Sequence, residues 1–478
     1  MAGPLKAVIA LARGPGPLKA VIAPARGPGP LKAVIAPARG LRPLKVAVIG
    51  AGWAGLAAAV RATQAGHGVT VFETAGIPGG RARSDDDGDA ATDNGQHILL
   101  GGYARTLALM RDVGVDVERA LLRVPLRVTY ADGAGFALSP SGPRLVAAAS
   151  ALWSARGFGW IDKASAVGMT LEWQWRRFRC PPALTVDALL RRTATARVRR
   201  RLIEPLCVAA LNTPAADASA EVFLAVMRDS LFGARDASDL LLPQRPLAQL
   251  LPLPALAWLR AHGATVHLRR RVTALERCDG RWRVDSSEPG DDLRKPDTSF
   301  DQVILATPAP EAARLTQSLA PAWSATAAAL AHEPIVTIAL HAPKRAWPAA
   351  MLALASDDTA RPAQFAFKLG EQPADADRVT LVASAAGRWL ERGADAVAQA
   401  AVAQYREAFA IAPDEAVDVT SVRADKRATF RCTAGVVRPS SAILPGLRAA
   451  ADYVAGPYPA TLEAAVLAGE AAARDIDR

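Results

Sequence analysis

Two short apolar runs, Val46-Ala47-Val48-Ile49 and Val69-Thr70-Val71-Phe72, bracket the alanine-rich stretch Leu56-Ala57-Ala58-Ala59-Val60. Runs of this kind, without polar alternation, read as parallel strands buried on both faces, and the alanine-rich stretch reads as a helix. Gly50-Ala51-Gly52-Trp53-Ala54-Gly55 joins the first strand to the helix, and the second strand ends at Glu73. Strand, glycine turn, helix, strand, acid is the layout of a dinucleotide-binding βαβ unit. Further along, residues 255–263 predict a helix closed by Gly263, residues 266–268 and 271–275 predict strands, and residues 302–308 predict another buried strand running into a turn. The fold class expected is α/β, with a Rossmann-like parallel sheet.

The turn residues have separate physical roles. Gly50 permits the tight turn, Gly52 lets backbone approach a pyrophosphate, and Gly55 lets the helix lie close to the sheet. The helix N-terminus then offers N–H groups and a positive dipole end to phosphates. Glu73, 23 residues after Gly50, is placed to accept hydrogen bonds from ribose hydroxyls. A bare GxGxxG arises by chance in an Ala/Gly-rich chain; the flanking strand, helix and acid make this one specific. The unit alone leaves NAD and FAD undecided.

Composition narrows the class. The chain has 478 residues, 51% of them apolar, enough for two or three domains or one large α/β assembly. Cys180, Cys207, Cys278 and Cys432 form no CxxC pair and the six histidines are scattered, which indicates no metal site and suits a reducing cytoplasm. Of the net charge of +11, seven positive charges fall in residues 1–43, which hold no acid, so the remainder is about +4. That mild excess predicts no nucleic-acid partner and favours contact with anionic lipid surfaces. No apolar run reaches the ~18 residues needed to span a bilayer, so any membrane association is expected to be peripheral.

Residues 1–43 repeat with a period of 13: Pro4-Leu5-Lys6-Ala7-Val8-Ile9 recurs from Pro17 and from Pro30, and echoes at Pro43 as the first strand. The earlier copies run into Pro, Ala, Arg and Gly where the last runs into the glycine turn. The segment is read as a low-complexity, disordered leader from a duplicated coding stretch or an over-long start, with folding beginning near Leu44. A basic membrane- or partner-binding arm is the alternative.

A second glycine pair follows Glu73 in Gly79-Gly80-Arg81, and Asp93-Asn94-Gly95-Gln96-His97 comes after it. Here the chain resembles the flavoprotein superfamily of amine oxidases, protoporphyrinogen oxidases and carotenoid desaturases. Residues 93–103, 204–219, 238–243, 426–430 and the block Asp452-Tyr453 with Tyr458-Pro459-Ala460-Thr461-Leu462-Glu463 narrow the resemblance to the squalene-associated FAD-dependent desaturase group, the hydroxysqualene dehydroxylases. The resemblance implies FAD as cofactor, contacted by Gly50, Gly52, Trp53, Ala54, Gly55, Glu73, Gly80, Arg81, Val272, Asp452, Thr461 and Leu462. Ala451 and Ala464 stand where the group usually has glycine, which predicts at most a modest loss of cofactor affinity.

It also implies a discontinuous FAD-binding domain (44–110, 240–310, 420–478) and an α+β substrate domain (111–239, 311–419). The implied reaction is reductive dehydroxylation of the long-chain isoprenoid hydroxysqualene to squalene, by hydride from reduced FAD, in isoprenoid or hopanoid biosynthesis. Implied partners are other squalene-pathway enzymes, and the implied location is cytoplasmic, peripheral to the inner membrane. A poor allylic leaving group needs an acid; Asp93, His97, Tyr458 and Glu463 are the candidates, each of which could instead cap a turn or helix. A phytoene-type desaturase using oxidised FAD and a flavin-containing scaffold remain alternatives. Trp153, Trp160, Trp173, Trp175 and Phe178, interleaved with Arg176, Arg177 and Arg179, have two readings: core aromatics of an amphipathic helix, or an entrance lip dipping into lipid.

Overall fold

The computed structural model describes residues 42–86, 93–137, 150–151, 153–234, 236–287, 295–368 and 378–477. The repeat leader lies outside the described residues, apart from its last two.

The apolar runs form the centre of a six-stranded sheet. Its strands are β1 (Lys45–Ile49), β2 (Gly68–Phe72), β3 (Thr265–His267), β4 (Gln302–Leu305), β5 (Ala442–Leu444) and β6 (Leu447–Ala449), in the order β5-β6-β4-β1-β2-β3. All neighbours pair in parallel except β5 and β6. β1 is central, and Val46, Ala47, Val48 and Ile49 are all buried, which is why its sequence does not alternate.

Helix α1 (Trp53–Gln64) follows the glycine turn, three residues earlier than its alanine-rich centre suggests. It is buried at Trp53, Ala54, Gly55, Leu56, Ala57, Ala58, Ala59, Val60 and Ala62, because the C-terminal helix α4 (Leu462–Arg474) covers it. The two backbones come together at Gly469, where a Cβ would lie 2.1 Å from the Ala54 carbonyl oxygen. Small residues are therefore a packing requirement of α1, beyond their helix propensity.

A second, antiparallel sheet contains Met351–Ala353, Phe365–Lys368, Arg378–Ala383, His332–His341 and Asp418–Phe430, in that order. The edge strand Asp418–Phe430 crosses the boundary drawn at residue 420 and pairs with His332–His341. Between β3 and β4 the chain makes a three-stranded meander, Arg271–Cys278, Arg281–Ser287 and Lys295–Phe300. Helices α2 (Ala104–Asp112) and α3 (Trp160–Trp175) lie in the stretch between β2 and β3.

Candidate flavin site

The two glycine turns meet at the C-terminal end of β1, the edge of a parallel sheet where dinucleotides bind. Gly50 has φ +107°, its N–H donates to the Phe72 carbonyl at 2.7 Å, and a Cβ there would lie 2.5 Å from the Ala306 carbonyl oxygen. The Gly79 N–H donates to the Ala51 carbonyl at 2.8 Å, which sets the second glycine turn beside the first. Gly80, at φ +64°, would bring a Cβ within 3.2 Å of the Gly52 Cα. Gly52 opens α1 without a side-chain cap, and the first turn holds no acid. A twelve-residue helix thus presents a bare N-terminus beside two adjacent glycines, a cradle that side chains would fill.

Glu73 is half-buried at the end of β2. Its carboxylate accepts from the Ala51 N–H at 2.7 Å and from the Ala75 N–H at 2.8 Å, so it braces the glycine turn and keeps further lone pairs for hydroxyl donors. The predicted turn residues Gly50, Gly52, Trp53, Ala54, Gly55, Glu73 and Gly80 therefore lie together. They fit a dinucleotide pyrophosphate and ribose.

Arg81 follows that cradle directly and reaches the second sheet. It pairs with the buried carboxylate of Asp452 and donates to the Ala428 carbonyl at 2.9 Å. Burial alone would lower its pKa, but the Asp452 and Asp425 carboxylates outweigh this and raise it. Arg81 and Asp452 thus meet, although they are 371 residues apart in the chain. Thr461 caps α4 through an acceptor bond from the Ala464 N–H at 3.1 Å, and Leu462 is the helix's first residue. Ala451 and Ala464, the two departures from glycine, are both buried. Val272 is buried in the meander, and its carbonyl accepts from Arg314 at 3.2 Å.

The four candidate acids occupy two places. Asp93 accepts from the Ser84 hydroxyl at 2.7 Å and from the Leu247 N–H at 2.9 Å, and burial raises its pKa. His97 lies within electrostatic reach of Asp93 and Arg81; burial lowers its pKa below 6.5, and Nδ1 bonds the Gly95 carbonyl at 3.0 Å. Glu463 is buried and caps α2, accepting from the Arg105 N–H, the Thr106 N–H and the Thr106 hydroxyl at 3.0, 2.9 and 2.7 Å. Tyr458 donates to Asp229 at 3.0 Å, and burial followed by the Asp229 carboxylate pushes its pKa up to about 12.

Two participants escaped sequence reasoning. Asp229 is one of many carboxylates, on the helix Ala220–Leu231 between two of the blocks that carry the resemblance but in neither of them. Arg438 stands in a loop without periodicity, yet it donates to the carbonyls of Asp452, Tyr453, Val454, Gly456 and Tyr458 and so holds the chain between β6 and α4. Only the run of five carbonyls, invisible in a sequence, marks it.

The parallel sheet, the double-glycine cradle and the terminal acid define a dinucleotide-binding protein, and the comparisons make the dinucleotide a flavin. The chain belongs to the flavin-containing amine oxidoreductases, whose family model matches residues 53–477; it is an FAD-dependent oxidoreductase. It is 31% identical to hydroxysqualene dehydroxylase of Sinorhizobium fredii over 284 residues, 57% of this chain and 63% of that protein. Identity to the hydroxysqualene dehydroxylase of Rhodopseudomonas palustris is also 31%, over 280 residues and the same shares. A zeta-carotene desaturase of Synechocystis is 41% identical over 69 residues, 14% of each chain. The matched region spans less than two thirds of either dehydroxylase. An oxidoreductase from Methanosarcina mazei has the same fold, with a TM-score of 0.69 over 90% of this chain and all of that one, at 17% identity.

Proposed function

We propose that this chain reduces hydroxysqualene to squalene. The observation that carries the reading is the 31% identity to two hydroxysqualene dehydroxylases over some 280 residues, in a chain that also bears the Asp93-Asn94-Gly95-Gln96-His97 block. The allylic C–O bond breaks, the oxygen leaves as water with one added proton, and the carbon gains a hydride. Reduced FAD, when bound, supplies that hydride.

The protein's own residues bind, orient and protonate. Gly52, Gly80 and the α1 N-terminus hold the pyrophosphate, and Glu73 takes the ribose hydroxyls. Arg81, Asp452 and Arg438 fix the loop that follows β6. Glu463 spends both carboxylate oxygens on backbone N–H and hydroxyl donors, Asp93 accepts the Ser84 hydroxyl and the Leu247 N–H at Oδ1, and Tyr458 spends its proton on Asp229. His97 has only Nδ1 engaged among the described residues, so in this reading Nε2 of the protonated ring delivers the proton.

Anaerobic incubation of dithionite-reduced holoenzyme with hydroxysqualene is expected to yield squalene. The second reading, a phytoene-type desaturase run on oxidised FAD, draws on the likeness to the zeta-carotene desaturase. Desaturation of phytoene by oxidised enzyme, with no squalene from the reduced one, replaces the first reading by the second.

A further inference from the structure

Helix α3 has two apolar faces, and only one of them is buried. Ala166, Met169 and Trp173 pack into the core, with Trp173 edge-on to Phe223. The other face carries Trp160, Ile161, Val167, Leu171 and Trp175 at helical spacing, and Trp153 stands just ahead of it. Trp153, Trp160 and Trp175 are 77%, 78% and 82% exposed. Single exposed apolar residues are ordinary, whereas a contiguous stripe along sixteen residues of helix marks a contact surface.

Charge identifies the contact. Arg176, Arg177 and Arg179 follow the C-terminal end of the stripe, and among the described residues neither Arg177 nor Arg179 has a carboxylate partner. Beside the N-terminal end an open pocket of about 370 Å³ is lined by Arg156, Arg197 and Arg201, with Asp132 as its one acid. The acids of α3 are spent: Asp162 accepts from Thr195 and the Gly159 N–H, and Glu172 pairs with Arg176. Both ends of the stripe are therefore basic. Two copies meeting through this face, parallel or antiparallel, would set arginine against arginine. An anionic bilayer offers the complement instead, with phosphates for both basic ends and an apolar interior for the stripe. Indole rings at the two ends, with Ile161, Val167 and Leu171 between them, suit the headgroup boundary. No helix among the described residues is long and apolar enough to cross a membrane, so α3 would lie in the interface.

We infer that the exposed face of α3 is a docking surface for an anionic lipid bilayer. This is independent of the substrate, and the test uses neither substrate nor turnover. Full-length protein is mixed with vesicles of phosphatidylcholine, with and without one quarter phosphatidylglycerol, and sedimented across a salt series. The expected result is binding to the anionic vesicles that weakens with salt. Trp160→Ser/Leu171→Ser/Trp175→Ser lowers the affinity by at least about tenfold. Arg177→Gln/Arg179→Gln lowers it toward that for neutral vesicles and flattens the salt dependence. Circular dichroism and melting confirm each fold; if the triple variant unfolds, Trp175→Ser alone makes the same test at the helix end. No binding by the wild type, or equal binding by the tryptophan variants, overturns the inference. So does self-association of the wild type in sedimentation velocity that these variants abolish.

Discussion

Arg438 shows how much one side chain can organise. Its guanidinium replaces water for five carbonyls between Asp452 and Tyr458, in a loop with no regular secondary structure. Arg438→Leu leaves those acceptors short of donors and is expected to cost about 2–4 kcal/mol in chemical denaturation, with lower flavin occupancy. Arg438→Lys should recover only a small part, because an ammonium lacks the planar five-donor fork. Full recovery by lysine would show that charge alone is what matters there. His97 carries a different prediction. If its protonated ring is the acid, turnover rises as pH falls, because the acid form gains population. The limb lies below pH 6.5, since burial lowers its pKa. His97→Gln should remove that limb from the kcat profile while leaving melting and flavin content near wild type; an unchanged profile excludes His97 as the proton donor.

At the scale of elements, Glu463 separates a capping role from a catalytic one. It belongs to α4 but takes two N–H groups and one hydroxyl at the start of α2, tying the two helices together. Glu463→Gln keeps one acceptor oxygen and sets an NH₂ against a donor, a change expected to cost about 1–2 kcal/mol of stability. A capping Glu463 gives a lower melting temperature with kcat nearly intact at a permissive temperature, whereas a proton donor would give the reverse. What the chain discloses about its elements follows burial. β1, β2 and β4 were legible because they are covered on both faces, which leaves unbroken apolar runs. Asp418–Phe430 was not legible as a strand: it is an edge strand, and its sequence DVTSVRADKRATF is mostly polar and partly exposed. The tryptophans of α3 were ambiguous for a related reason. Helical spacing places residues on a face without saying which face is covered, and Trp173 and Trp175, two residues apart, lie on different sides.

Across the whole molecule, the two sheets are joined at the site by a pair that the sequence divides by hundreds of residues. Arg81 leaves the second glycine turn, pairs with Asp452 beyond β6 and bonds the Ala428 carbonyl on the edge strand of the antiparallel sheet. The motif made Arg81 and Asp452 candidates separately; their pairing depends on how distant segments return to one edge, which no local pattern records. Asp452 is buried, so removing Arg81 strands a carboxylate that water reaches poorly. The arginine side chain is itself 37% exposed, which screens the pair and reduces the loss. Arg81→Met is therefore expected to cost about 1–3 kcal/mol, and Asp452→Asn somewhat less, because the amide keeps an acceptor. In the double variant the buried charge is gone, so its cost should fall short of the sum of the two single costs. A double-mutant cycle by denaturant unfolding measures that shortfall. Strict additivity would mean that Arg81 and Asp452 act separately, and that the joint between the sheets rests on the Ala428 bond and the surrounding packing.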